Sequence, residues 1–132
     1  MDNLTYVCEF GDLPQNGHLK QFTINNVKLL VLRDLTGNIK VVSSICPHLG
    51  GDLLNGTLNY NNNTIQCNRH KAVLSIDTGE TKTPPTITNL SYLNKKIAPV
   101  NLPKLNIYKI KIFENRVYIE GEILPQRCAV IF

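Results

Sequence analysis

Two short groups of cysteine and histidine constrain this chain more than any other part of its sequence. Cys46 and His48 form a C-x-H box, and Cys67 and His70 form a C-x2-H box after the eighteen intervening residues 49–66. Each box offers one thiolate and one imidazole, so the two boxes together can complete a four-ligand metal site. The sequence therefore predicts a fold in which two separate loops meet around a metal centre.

The order of the ligands distinguishes between kinds of metal site. In common zinc fingers both thiolates come first and both imidazoles follow. Here each loop supplies one Cys and one His. That distribution suits a two-iron, two-sulfide cluster in which one iron takes both Cys and the other takes both His. A zinc site made from the same four residues remains an alternative.

At these boxes the chain resembles the Rieske-type [2Fe-2S] ferredoxin family, whose signature is C-x-H followed after a gap by C-x2-H. Residues 46–51, CPHLGG, resemble the first Rieske box, and residues 77–80, DTGE, follow the second box where the family places a strand-closing turn. Residues 83–86, TPPT, resemble the family's proline-rich loop, which covers one side of the cluster. The resemblance spans roughly residues 30–120 and implies one Rieske-type [2Fe-2S] cluster. The ligands that it implies are Cys46, His48, Cys67 and His70.

The chain departs from the family pattern at positions that bear on redox properties. Respiratory members carry an additional Cys in each box, joined by a disulfide, and hydroxyl residues just after the second His. Here the two Cys positions hold Gly51 and Arg69, and the hydroxyl positions hold Ala72 and Leu74. Without those donors we expect a reduction potential at the low end of the Rieske range, about −150 mV. The family's usual glycine after the second His is replaced by Lys71, which would be strained if that position requires a positive φ.

Alternating and β-branched segments predict an all-β fold with little helix. Each box is expected at the tip of a hairpin, and a turn at residues 34–38 joins the two strands that lead into the first box. Residues 87–105 show no sustained period and contain two prolines, so we expect a surface loop there. The predicted class is a Rieske-like antiparallel β-sandwich or barrel with a cluster-binding loop subdomain. The predicted strands are residues 4–10, 21–25, 27–33, 39–45, 64–66, 72–76, 108–112 and 117–119.

Length and composition limit the remaining possibilities. A chain of 132 residues has room for one domain, here a Rieske domain over residues 1–132 whose cluster-binding subdomain occupies about residues 45–86. No run approaches the roughly eighteen apolar residues of a membrane span, and residues 1–3 lack the basic and apolar pattern of an export signal, so we expect neither a membrane span nor a cleavable export sequence. The net charge of +4 is dispersed and only five Tyr and four Phe are present, which argues against nucleic-acid binding.

The other cysteines and histidine are expected to be structural or incidental, because Cys8, His18 and Cys128 lie far from both boxes in the sequence. Two of the four cysteines are assigned as ligands, and the other two stand near opposite ends of the chain. This usage is typical of a reducing compartment, so we expect a cytoplasmic protein.

The resemblance implies a soluble one-electron carrier, a Rieske-type ferredoxin that passes electrons from a reductase to an acceptor such as an oxygenase. We expect no enzymatic activity and no small-molecule substrate, because protein and sulfide would fill every coordination position of both irons. Two alternatives stay open. In the first, the chain is a dedicated electron-transfer subunit of a larger oxidoreductase complex. In the second, it is a zinc-stabilised binding module without a redox role.

Overall fold

The computed structural model describes residues 3–47, 51–59, 61–68, 71–83 and 103–128. Within those ranges the regular structure consists of β-strands and two 3-10 turns, Phe10–Asp12 and Leu53–Asn55, without an α-helix. The strands are β1 (Leu4–Glu9), β2 (Leu19–Ile24), β3 (Val27–Arg33), β4 (Ile39–Ser43), β5 (Thr57–Asn59), β6 (Thr64–Gln66), β7 (Val73–Ser75), β8 (Thr81–Thr83), β9 (Ile107–Tyr108), β10 (Ile110–Phe113) and β11 (Arg116–Glu120).

The strands form three antiparallel sheets. Their strand orders are β1-β11-β10, β2-β3-β4-β9 and β5-β6-β7-β8. The second sheet contains the hairpin that leads into the first box, and the third sheet contains the strands that flank the second box. The predicted all-β, antiparallel class is confirmed.

Strand β3 is buried on both of its faces. Leu30 and Leu32 belong to one hydrophobic cluster, which also contains residues of β4, β6 and β7. Leu29 and Val31, which point to the opposite face, belong to a second cluster with residues of β1, β4 and β11. A strand covered on both faces has an almost continuous apolar sequence instead of an alternating one, which explains the run LLVL. The sheet of β3 thus lies between the other two sheets.

The predicted strand over residues 108–112 is divided in two by the structure. Tyr108 of β9 pairs with Val41 in the central sheet, whereas Ile110 of β10 pairs with Ile119 in the first sheet. The chain changes sheets at Lys109, as strands do where two packed sheets meet. Alternation of side chains continues through such a bend, so the sequence pattern does not mark it.

Most other strands lie within a few residues of their predicted positions, and β3 has the predicted bounds. The three-residue strand β6 also has the predicted bounds, whereas the three-residue strands β5 and β8 were not predicted. Of the loop expected over residues 87–105, only residues 103–105 are among the described residues, and of the proline-rich segment 83–86 only Thr83 is. In the part of the chain that the structure describes, no helix is long and apolar enough to cross a membrane.

Candidate metal centre

The first box begins three residues after the end of β4. Cys46 is buried, with 2% of its surface exposed. Its backbone N–H donates to the carbonyl oxygen of Gly51 at 2.7 Å, and Ile45 forms an isolated antiparallel bridge with Asp52. Backbone pairing therefore closes the base of the loop that carries the C-x-H box. His48, the second predicted ligand of this box, lies outside the described residues.

The carboxylate of Asp52 holds the base of this loop to the central sheet. Its Oδ1 accepts hydrogen bonds from Ser44 Oγ at 2.9 Å, Gln21 Nε2 at 3.0 Å and the N–H of Leu54 at 3.0 Å. Burial opposes ionisation of this carboxyl, but the hydrogen bonds and the nearby charge of Lys28 outweigh it, so the pKa of Asp52 is lowered from its ordinary value. The sequence does not single out this group, because its partners Gln21 and Ser44 lie 31 and 8 positions away in the chain.

Replacing Asp52 by Asn is expected to destabilise the protein by about 1–3 kcal/mol at neutral pH, because an amide cannot accept from three donors as a carboxylate does. The lowered pKa means that ionised Asp52 stabilises the folded state above its unfolded pKa of about 3.9, and that this contribution disappears as the pH falls through the folded pKa. Urea unfolding at pH 7, 4 and 3 should therefore show a difference between wild type and D52N that shrinks in acid. The control is E122Q, which removes the same charge from an exposed position and should leave the stability unchanged at each pH. A stability difference for D52N that did not depend on pH would contradict the prediction.

The second box lies at the tip of the hairpin formed by β6 and β7. Cys67 follows β6 directly and has 3% of its surface exposed. Its N–H donates to the carbonyl oxygen of Ala72 at 2.8 Å, and its own carbonyl accepts from the N–H of Lys71 at 3.0 Å. The expectation of a hairpin tip is confirmed for this box. His70, its predicted second ligand, lies outside the described residues.

Lys71 adopts a left-handed backbone conformation, with φ +62°. The condition under which the sequence predicted strain at Lys71, a positive φ at this position, is therefore met. In a residue with a Cβ atom this conformation costs roughly 1–2 kcal/mol. The tight turn from Cys67 to Ala72 imposes it, because the chain must reverse within five residues to return to β7.

Lys71→Gly is expected to stabilise the protein by about 0.5–1 kcal/mol, because glycine adopts a positive φ without strain. The greater conformational entropy of glycine in the unfolded chain offsets only part of this stabilisation. Thermal unfolding followed by circular dichroism measures the change. Lys82→Gly is the matched control, because Lys82 is also an exposed lysine but lies in strand β8. That variant should be destabilised. A lower melting temperature for K71G would contradict the prediction.

The structure brings the two predicted cysteine ligands into one apolar region. Cys46 and Cys67 both belong to the hydrophobic cluster that includes Leu53 and Leu74. Two thiols from separate hairpin loops, removed from water and surrounded by aliphatic side chains, fit the thiolate half of an iron–sulfur site. In the described ranges, no group of three or more His, Cys, Asp or Glu side chains is close enough to hold a metal ion. The two imidazoles needed to complete the set belong to residues outside those ranges.

The cysteines and the histidine that were not predicted as ligands fall into two groups. Cys8 is buried in the second hydrophobic cluster, on the other face of the central sheet, and His18 is exposed in the loop before β2. Neither belongs to the cluster that contains Cys46 and Cys67. Cys128 differs, because its Sγ donates a hydrogen bond to the carbonyl oxygen of Cys46 at 3.5 Å. Burial raises the pKa of the Cys128 thiol, which is therefore protonated at neutral pH. Cys128 therefore lies against the first box although it is far from that box in the sequence, and no sequence pattern predicts this contact.

Comparisons with known proteins agree with this geometry. A family model described as the Rieske [2Fe-2S] domain matches residues 3–108. The ferredoxin of carbazole 1,9a-dioxygenase from Nocardioides aromaticivorans IC177 superposes with a TM-score of 0.68 at 16% identity, over 92% of this chain and 100% of that chain. A chain from the complex of reduced oxygenase and oxidized ferredoxin in carbazole 1,9a-dioxygenase gives a TM-score of 0.61 at 22% identity, over 86% of this chain and 98% of that one.

The fold also occurs within larger chains. The terminal oxygenase of carbazole 1,9a-dioxygenase from Novosphingobium sp. KA1 superposes with a TM-score of 0.65 at 19% identity, over 94% of this chain but only 31% of that one. No curated protein sequence matches this chain. At these identities the structural likenesses establish the fold alone.

Proposed function

Because the chain belongs to the Rieske [2Fe-2S] domain family, whose cofactor is a Rieske-type [2Fe-2S] cluster, we propose that the protein is a one-electron carrier. In this proposal Cys46 and Cys67 bind one iron of the cluster, and His48 and His70 bind the other. The observation that carries it is that Cys46 and Cys67, which come from two separate loops, are both buried in one apolar cluster.

The described residues serve to position and shield the site. When bound, a Rieske cluster accepts and releases single electrons. Backbone bonds from Cys46 to Gly51 and from Cys67 to Ala72 hold both loops in their turns, so little rearrangement accompanies a change of charge. The fully buried side chains of Leu53 and Leu74 keep water from the thiol side of the site. The proposed site needs no acid, base or open coordination position, which is why we propose a carrier and not an enzyme.

We further propose that the protein takes electrons from a reductase and delivers them to an acceptor such as an oxygenase, in the cytoplasm. The supporting fact is that this chain superposes on the whole length of a ferredoxin that, by its description, belongs to carbazole 1,9a-dioxygenase. A second description names a complex between such a ferredoxin and its oxygenase. Docking to two protein partners in turn is then the basic requirement, and no small-molecule substrate is involved.

Anaerobic purification followed by metal and sulfide analysis tests the proposal. We expect about two irons and two sulfides per chain, and pulsed electron paramagnetic resonance of the reduced protein should show coupling to two imidazole nitrogens. Reduction by a flavin reductase with NADH, and reoxidation by a Rieske oxygenase, test the carrier role directly. A colourless protein with one zinc per chain would refute the proposal and support the zinc-stabilised binding module.

The reduction potential is expected at the low end of the Rieske range, about −150 mV. Ala72 and Leu74 are fully buried beside the second box and offer no hydroxyl donor, and within the described residues, which include every cysteine of the chain, no disulfide forms. Fewer donors leave the more negative reduced state less stabilised. A spectroscopic redox titration measures the potential. Ala72→Ser adds a hydroxyl and should raise it, whereas a wild-type value above about +100 mV would contradict the assignment.

A second candidate is a dedicated electron-transfer subunit of a larger oxidoreductase complex. The observation in its favour is that the same fold forms about a third of an oxygenase chain. Size-exclusion chromatography of the natively expressed protein separates the two functions. Stable co-purification with one oxidoreductase indicates a subunit, and elution of the chain alone with exchangeable partners indicates a free carrier.

A further inference from the structure

The described part of the chain continues beyond β11 as a segment, residues 122–128, that lies outside the region matched by the family model, which ends at residue 108. This segment contains no regular secondary structure. Nevertheless it is joined by hydrogen bonds to residues 104–108 and to the first box. We call it the C-terminal strap.

Asn106 and Tyr108 anchor the first half of the strap. Tyr108 Oη donates to the carbonyl oxygen of Leu124 at 2.7 Å, and Asn106 Nδ2 donates to the carbonyl oxygens of Leu124 and Pro125 at 3.2 and 3.3 Å. The carbonyl of Asn106 in turn accepts from the N–H of Ser43, at the end of β4, at 2.9 Å. The strap is thereby tied to the strand that leads into the first box.

Gln126 anchors the second half through both ends of its amide. Its Oε1 accepts from the N–H of Asn106 at 2.7 Å, and its Nε2 donates to the carbonyl oxygen of Lys104 at 2.8 Å. The contacts proceed from 108 through 106 to 104 as the strap proceeds from 124 to 126, so the two segments lie antiparallel. This arrangement carries Cys128 to the first box.

The strap contacts the first box at the peptide group between Cys46 and Pro47. This peptide group has no N–H donor. Pro47 has no N–H, so the peptide between Cys46 and Pro47 can be held by hydrogen bonding only through the carbonyl oxygen of Cys46. The thiol of Cys128 donates to that oxygen at 3.5 Å. The N–H of Cys46 is already bonded to Gly51. The N–H of Cys46 is thus bonded within the first loop, whereas its carbonyl oxygen is bonded to the strap.

We propose that the C-terminal strap is a positioning element of the cluster site, with Cys128 holding the Cys46 carbonyl and Gln126 holding the strap in place. The inference rests on the proposed function, in which Cys46 is a ligand. A donor at this carbonyl draws negative charge away from the ligand's own backbone and so stabilises the reduced form. It also restrains the loop whose opening would release the cluster.

Three variants and a control test the strap in the full-length, cluster-loaded protein. Cys128→Ala removes the donor, Gln126→Ala detaches the strap with the thiol retained, and Cys128→Ser supplies a hydroxyl donor in place of the thiol. Leu124→Ala is the control, since Leu124 is 59% exposed and anchors the strap through its backbone carbonyl, which alanine retains. The readouts are the midpoint potential, the half-life of cluster absorbance at 37 °C, and amide hydrogen exchange in residues 44–46 and 51–53.

We expect C128A and Q126A each to lower the equilibrium constant for reduction about threefold, equivalent to about 30 mV at 59 mV per tenfold. They should also shorten the half-life about fivefold and speed amide exchange in the first loop, as the loss of one net hydrogen bond predicts. C128S and L124A should behave as wild type. A change in stability alone, without a change in potential, would indicate ordinary packing and overturn the proposal.

Two other results would also overturn the proposal that the strap positions the cluster site. Wild-type values for both C128A and Q126A would do so, as would a C128S variant indistinguishable from C128A. If wild-type protein holds no cluster with imidazole ligands, the proposed function fails and the strap fails with it. If the cluster is present and only the variant effects are missing, the strap alone fails, so the two failures are distinguishable.

Discussion

Cys67→Ala is expected to abolish the iron–sulfur cluster, with iron and sulfide falling from about two of each per chain to background. In the proposed site each iron has two protein ligands, and alanine removes one of them outright. Cys67 is buried, and the residues that share its hydrophobic cluster in the described part of the chain are mostly aliphatic and cannot replace a thiolate ligand. Metal analysis, visible absorption and electron paramagnetic resonance of anaerobically purified protein measure the loss.

Cys8→Ala is the matched control for this prediction. Cys8 has 3% of its surface exposed, as Cys67 has, and it also lies in a hydrophobic cluster, so truncation creates a similar small cavity. Its cluster is on the opposite face of the central sheet. C8A should lose some stability but keep full iron, sulfide and potential. Full iron content in C67A, or equal loss in C8A and C67A, would contradict the ligand assignment.

Gly79→Ala is expected to destabilise the protein by about 3–5 kcal/mol. Gly79 has φ +80°, and a Cβ atom at this position would lie 2.2 Å from the carbonyl oxygen of Leu105. The close approach is part of the fold, because the N–H of Leu105 donates to the carbonyl oxygen of Gly79 at 2.9 Å. Leu105 belongs to the same hydrophobic cluster as Cys46 and Cys67. Urea unfolding measures the loss, and we expect faster cluster release to accompany it.

Gly121→Ala separates backbone strain from steric conflict. Gly121 has φ +83°, but a Cβ atom there would meet nothing within 4 Å. The G121A variant should lose only about 1–2 kcal/mol of stability, which is the cost of a left-handed backbone conformation for a residue with a Cβ atom. The difference between G79A and G121A then reports the clash with Leu105. Equal losses for the two variants would show that the backbone at residues 79 and 105 moves apart at little cost.

Much of the strand pattern was predictable because it depends on neighbouring residues. The β3–β4 hairpin and the β10–β11 hairpin follow from apolar segments on either side of short turns, and the structure confirms both. The positive φ at Lys71 was foreseeable from the family's glycine at that position. In the candidate site, Cys46 and Cys67 belong to one buried cluster, and their role as ligands remains a proposal. The roles of His48 and His70 remain a proposal.

The sequence by itself determined the spacing of the two boxes, the class of fold and most strand positions, because these depend on side-chain alternation and turn residues that act over a few positions. The tertiary structure alone decided that β3 is covered on both faces, that the chain changes sheets at Lys109, that Gly79 contacts Leu105, and that Cys128 reaches the carbonyl of Cys46. Those contacts join residues distant in the chain. They result from how three sheets pack together, which no local pattern specifies.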